Sequence, residues 1–384
     1  MKIGIFTDSY KPYTSGVVRS IETFNKEFQE LGHETYIFAP SYPHYQKESK
    51  VFRFISVPAP TNPDFSLALP FSLRLRQNIK NLHLDLIHVH SPFLLGRLGA
   101  KYARLLNVPL VFTFHTMYEQ YVHYVPIGQN ITKEITRVFC REFCNSCDLV
   151  ITPTGIVARH LKDIGVYKEV RSIPTGIDLR EFNNQDRGWL RKEYNIAQED
   201  KILLCVGRLG QEKNHNFVLE AFKRVSERVE NTKLVLVGGG PEEKALKGAA
   251  ARLGLENKVV FTGTLPREKV ILCFCGADIF VFASLTETQG LVIGEAQAAG
   301  LPSVAIKANG VSEMISDGVD GFLTENELNQ FVERILFLIT NEQLYSSMSK
   351  NALESAGIIS SRNCALKLLA GYESLLSGRE VLAQ

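Results

Sequence analysis

The chain has 384 residues, 45% of them apolar and 22% charged, with a formal net charge of +2. That length suits two full domains, and the balance excludes disordered, fibrous and disulfide-rich classes. No apolar run approaches the roughly 18–20 residues of a membrane span, and seven cysteines without a secretory leader point to reduced thiols in a cytoplasmic setting.

In chain order, residues 2–6 (Lys2-Ile3-Gly4-Ile5-Phe6) read as a first strand, and 17–31 carry a helical apolar period that stops at Gly32, a helix-ending residue. Strands follow at 34–39, 86–89, 110–114 and 149–152. A second series begins at 202–206 and continues at 233–237, 259–261, 279–283 and 303–306. Helical patterns lie between these strands at 215–229, 241–253, 267–275 and 290–299. Residues 325–340, 342–356 and 361–377 close the chain as helices. Strand–helix alternation run twice predicts two doubly wound α/β domains with parallel sheets, breaking near Thr175-Gly176-Ile177-Asp178. Ligands of such sheets bind beyond the C-terminal strand ends.

Charge is unevenly spread: residues 1–182 hold 21 Lys and Arg against 16 Asp and Glu, and residues 183–384 hold 22 against 25. The basic excess fits an anionic partner for the first half. After the first strand, Tyr13-Thr14-Ser15-Gly16-Val17-Val18-Arg19 enters a helix, where Gly16 lets backbone approach a ligand. It is not G-x-G-x-x-G, so a dinucleotide fingerprint is absent. His115 ends a strand at its ligand edge, and His88 and His90 sit at the end of the preceding strand as weaker candidates. Cys140, Cys144 and Cys147 share a helical face and pack as small apolar residues, with no fourth ligand for a structural zinc.

In the second half, Arg208 and Lys213 lie on the loop after the strand at 202–206, suited to a diphosphate. Gly238-Gly239-Gly240-Pro241 lacks the Lys-Ser/Thr of a phosphate loop and reads as a turn with Pro241 opening a helix. The run from Ser284 to Glu295 follows an apolar strand and opens a helix at Gly290. Its first N–H groups form an anion site bracketed by Glu287 and Glu295. Glu287 precedes the helix and can accept sugar hydroxyls; Glu295 leans back toward the helix start and can accept a ribose.

Taken in order, Ser15-Gly16-Val17-Val18-Arg19, Phe114-His115-Thr116, Thr175-Gly176-Ile177-Asp178, Arg208 with Glu212-Lys213, and Glu287 through Glu295 resemble the GT-B glycosyltransferases, specifically the retaining enzymes of family 4. The resemblance covers essentially the whole chain and implies two Rossmann-like domains facing across a cleft. It places an acceptor-binding domain at 1–180 and a nucleotide-sugar domain at 181–364, with a last helix at about 365–384 packed back on the first. By the same resemblance, Arg208 and Lys213 bind the donor diphosphate, Glu287 the transferred sugar and Glu295 the ribose. The backbone of Gly290, Leu291 and Val292 binds sugar and phosphate, His115 lies at the reaction centre, and Gly16 meets phosphate or acceptor. Ser15 stands where many relatives have glycine, which leaves close approach to Gly16 alone.

The first domain looks more closely like the bacterial diacylglycerol glucosyltransferases, through Gly4-Ile5-Phe6-Thr7-Asp8-Ser9-Tyr10 and His115-Thr116-Met117-Tyr118-Glu119-Gln120-Tyr121. That implies transfer of a hexose, glucose from a UDP-sugar, to 1,2-diacylglycerol at the cytoplasmic membrane face, without a metal and with no nucleic-acid partner. Arg74, Arg76 and Lys80 in the segment 69–80, with Tyr118 and Tyr121, are candidates for an anionic bilayer and acyl chains. The same segment also reads as an ordinary amphipathic helix on the sheet. Another membrane lipid, a surface polysaccharide precursor, or non-catalytic binding of a sugar nucleotide are the competing functions.

Overall fold

The computed structural model describes residues 1–59, 62–71, 79–120 and 129–383. The chain divides into two compact units, Met1–Gly176 with Ser361–Gln384, and Ile177–Ser360. The crossings therefore fall four residues before the expected ones. Ile177 belongs to the second unit for a physical reason: it packs into that unit's apolar core and its N–H donates to Ile359 O at 2.9 Å.

Among the described residues the first unit carries nine strands: β1 (Lys2–Phe6), β2 (Glu34–Pro40), β3 (Val51–Phe54), β4 (Ser56–Ala59), β5 (Asn62–Ala68), β6 (Leu86–Val89), β7 (Leu110–Thr113), β8 (Leu149–Thr152) and β9 (Val170–Ser172). Seven of them form a parallel sheet in the order β3-β2-β1-β6-β7-β8-β9, while β4 and β5 pair as an antiparallel hairpin. Strands β6, β7 and β8 are buried along their whole length, the mark of a parallel sheet covered on both faces.

The helix Gly16–Glu30 shows how the sequence sets this packing. Val18, Ile21, Phe24 and Phe28 recur at helical spacing and are buried, each large one worth about 1.5–3 kcal/mol. Ser15 caps its start, its Oγ accepting from Val18 N at 3.3 Å, a bond glycine could not supply. The last helix, Ser361–Ala383, is tied to the same helix: Ser361 Oγ donates to the buried Glu27 carboxylate at 2.6 Å.

The second unit is a six-stranded parallel sheet of β10 (Lys201–Val206), β11 (Thr232–Val237), β12 (Val259–Gly263), β13 (Ile279–Phe282), β14 (Ser303–Ile306) and β15 (Gly321–Thr324), ordered β12-β11-β10-β13-β14-β15. Strand order reverses between β10 and β13, so the loops leaving these two strands diverge and open a crevice at their C-terminal ends. Apolar clusters fill both faces, one around Phe222 and Phe331, the other around Phe274 and Phe280.

Candidate active site

The loops that leave β10 and β13 in the second unit bring Lys213 and Glu287 together. The Lys213 ammonium pairs with Glu287 Oε1, and Ser284 Oγ donates to the same oxygen at 2.9 Å. Both charged side chains are 19% exposed, enough to meet a ligand and enough burial to strengthen the pair. Arg208, on the same loop as Lys213, is exposed and has no acidic partner among the described residues.

Three glycines position the Arg208 loop. Gly238 holds φ at +135°, and a Cβ there would lie 2.0 Å from Gly207 O. One at Gly240 would lie 2.4 Å from Leu209 O. The glycine run thus lets two loops touch backbone to backbone, with Leu209 N donating to Gly239 O at 3.0 Å. Pro241 does not open the helix as expected. It lies in the turn, and the helix runs Glu243–Arg252.

Gly290 is the N-cap of the helix Leu291–Ala298, at φ +82°, and brings no side chain to cover the first N–H groups of Leu291 and Val292. Glu295 lies in this helix, 6% exposed. Its Oε1 accepts from Arg267 Nη1 at 2.5 Å, and Arg267 Nη2 also donates to Glu181 Oε2 at 2.7 Å. Glu295 is therefore held in an Arg267-centred triad, which an isolated acceptor of ribose hydroxyls would not need.

In the first unit, His115 follows β7 and is partly buried, while His88 and His90 are each 2% exposed at the end of β6. His90 Nδ1 lies 2.8 Å from His115 Nε2. His88 meets Tyr372 Oη at 2.6 Å and Thr113 Oγ1 at 2.7 Å. Burial pushes the imidazoles of His88 and His115 down to about 3, so both are neutral at pH 7. Gly16 is the first residue of its helix.

Two family models divide the chain between them: glycosyltransferase family 4 matches residues 14–181, and glycosyl transferases group 1 matches residues 186–355. The alpha-monoglucosyldiacylglycerol synthase of Streptococcus pneumoniae is 36% identical over 334 residues, covering 85% of this chain and 76% of that one. The chain is a family 4 glycosyltransferase. A second synthase of the same name, from Acholeplasma laidlawii, is 29% identical to this glycosyltransferase and covers 92% of each chain. Anabaena Alr3699/HepE, solved in complex with UDP, shares the GT-B fold with a TM-score of 0.77 at 21% identity, covering 97% of the glycosyltransferase and all of that chain.

Arg267 and Glu181 were missing from the sequence reading of this glycosyltransferase. The three partners of the triad are separated by 28 and 86 residues, and only the arginine that opens the helix Arg267–Gly276 could have signalled it. Asn309 and Gly310 were also missed: Asn309 Nδ2 donates to Leu285 O at 2.8 Å and Gly310 N to Glu287 O at 2.9 Å, bracing the loop that carries Glu287. Arg74, Arg76 and Tyr121 lie outside the described residues. Lys80 is exposed in a short 3-10 helix, Ile79–Leu82, and Tyr118 packs edge-on against Phe93 and Phe114. Cys140, Cys144 and Cys147 are buried and free, in the apolar core of the first unit.

The neutral histidines make the fold acid-sensitive. His88 and His115 titrate near 6.5 when unfolded and near 3 when folded, so the unfolded chain binds more protons between these values. Their contribution is whole above pH 6.5 and is lost as pH falls toward 3, by up to about 1.4 kcal/mol per pH unit for each ring. Urea midpoints measured from pH 7 down to pH 4.5 are expected to fall steadily. A flat profile over that range would contradict the burial of these rings.

Proposed function

We propose that the enzyme transfers glucose from UDP-glucose to 1,2-diacylglycerol, with retention at the anomeric carbon and without a metal, while resting peripherally on the cytoplasmic membrane face. The observation that carries this reading is the Lys213–Glu287 pair at the strand-order reversal, with the exposed Arg208 on the same loop. Arg208 and Lys213 would neutralise the departing UDP, aided by the open N-terminus of the helix Leu291–Ala298. Fixed cations at the leaving group supply the charge compensation that a metal supplies elsewhere. Glu287 would bind sugar hydroxyls through the oxygen that Lys213 and Ser284 leave uncommitted, and Glu295 the ribose. A neutral His115 serves the sugar as a hydrogen-bonding group rather than as a cation.

The acceptor follows from the two relatives named as alpha-monoglucosyldiacylglycerol synthases. Ile55, Leu69 and Phe71 support a lipid surface, being 74%, 50% and 69% exposed around the β4–β5 hairpin. No described helix is long and apolar enough to cross a membrane.

The test is a panel of UDP- and GDP-linked sugars in EDTA, each with and without diacylglycerol in anionic vesicles. Transfer of glucose from UDP-glucose to the lipid, giving an α-linked product, is expected. Transfer only to another lipid or to a polysaccharide precursor would overturn the acceptor. Recovery of lost activity by an added divalent ion would overturn metal independence.

A further inference from the structure

Three histidines of the first unit form a ladder that the donor chemistry leaves unexplained. Strands β6 and β7 are parallel neighbours with Val89 opposite Phe112. Positions two apart share a face, so His88 and His90 point the same way, as do Thr113 and His115. The pairs His88–Thr113 and His90–His115 are the two rungs, both 25 residues apart in sequence. The rings of His88 and His90 lie 4.3 Å apart and tilted by 32°, and those of His90 and His115 stack at 5.1 Å.

The two rungs have different consequences. Both nitrogens of His88 are taken, by Tyr372 and Thr113, which anchors it within the unit. His90 spends its Nδ1 on His115 Nε2, and at 2% exposure it has almost no surface for a ligand. A hydrogen bond between two neutral imidazoles contains one hydrogen. If His90 donates, His115 must carry its own hydrogen on Nδ1; if His115 donates from Nε2, its Nδ1 is a lone pair. The choice decides whether the other edge of His115 is a donor or an acceptor.

We propose that His90 is a positioning residue for His115, locking its ring orientation and selecting a single neutral tautomer for the transfer step. This rests on the role proposed above for His115 in binding the sugar. Burial keeps both rings neutral, which is the condition for a one-hydrogen bond between them.

The test compares the parent with His90→Leu, which removes the bond, and His90→Asn, which returns a polar atom close to the Nδ1 position. kcat and KM for UDP-glucose are measured beside imidazole 15N NMR of His115. The parent is expected to show one tautomer of His115 at pH 7. His90→Leu should lower kcat about 10- to 100-fold, as befits the misplacement of a group in contact with substrate. It should leave the donor KM within about twofold, since UDP is held by the other unit. His90→Asn should recover most of kcat and the single tautomer. Exchange-averaged tautomers of His115 in the parent would overturn the proposal even if His90→Leu fails to fold. So would parental kcat in His90→Leu, or an Asn variant no better than Leu. His115→Ala with full activity would instead remove the reading on which the proposal rests.

Discussion

Lys213→Ala is expected to lower kcat about 10²–10³-fold, the usual cost of losing one fixed charge at a developing anion, while the fold survives. The pair explains both halves of that expectation. In the structure Lys213 is balanced by Glu287, and each is 19% exposed, so the lysine can turn to a phosphate when a donor arrives. Removing it leaves Glu287 with Ser284 and water, which costs about 1 kcal/mol in stability, a few degrees of melting temperature at this unit size. Glu287→Ala is expected to match it in kcat, because it would remove the proposed sugar contact and it breaks the ion pair with Lys213. Thermal melts and steady-state rates with UDP-glucose check this together. Near-normal rates in both variants would show that the diphosphate is held elsewhere.

Arg267→Ala is expected to act on the fold instead. It leaves Glu295, 6% exposed, and Glu181 without their shared cation. Breaking a fully buried ion pair from one side costs about 3–5 kcal/mol; with Arg267 itself one-quarter exposed, about 2–4 kcal/mol is expected. Arg267→Lys keeps the charge but loses the fork that serves two carboxylates, and should recover less than half. Urea unfolding measures the loss, and titration with UDP should show at least tenfold weaker binding once Glu295 is unmoored. A loss below about 0.5 kcal/mol would show that the triad holds nothing in place.

The second unit was the more legible. Its central strands are buried on both faces, so Ile202–Val206 and Ile279–Ala283 stand out as apolar runs, and loops at known strand ends place Arg208, Lys213 and Glu287. Short strands were not legible where polar residues interrupt them, as in Val170-Arg171-Ser172 or the hairpin strand Ser56-Val57-Pro58-Ala59. Gly321–Thr324 was lost for a related reason: four residues beside a helix carry no period of their own. The site's supporting residues failed differently. Arg267 and Glu181 each resemble a solvated charge until the fold brings Arg267 to both Glu181 and Glu295, and the Gly238–Gly240 run reads as a turn without revealing its close backbone contact. His88 and His90 were noticed, but their bonding to Thr113 and His115 depends on the β6–β7 register, which no single strand reveals.

The return of residues 361–384 to the first unit also sets an order of assembly. Residues 177–360 are contiguous and can close their sheet as soon as they leave the ribosome, whereas the first unit waits for a segment made after the second is complete. Tyr372, which seats His88, arrives only then. A nascent or C-terminally clipped chain would thus hold a finished second sheet while the His88 ring of the first unit still lacks its Tyr372 partner.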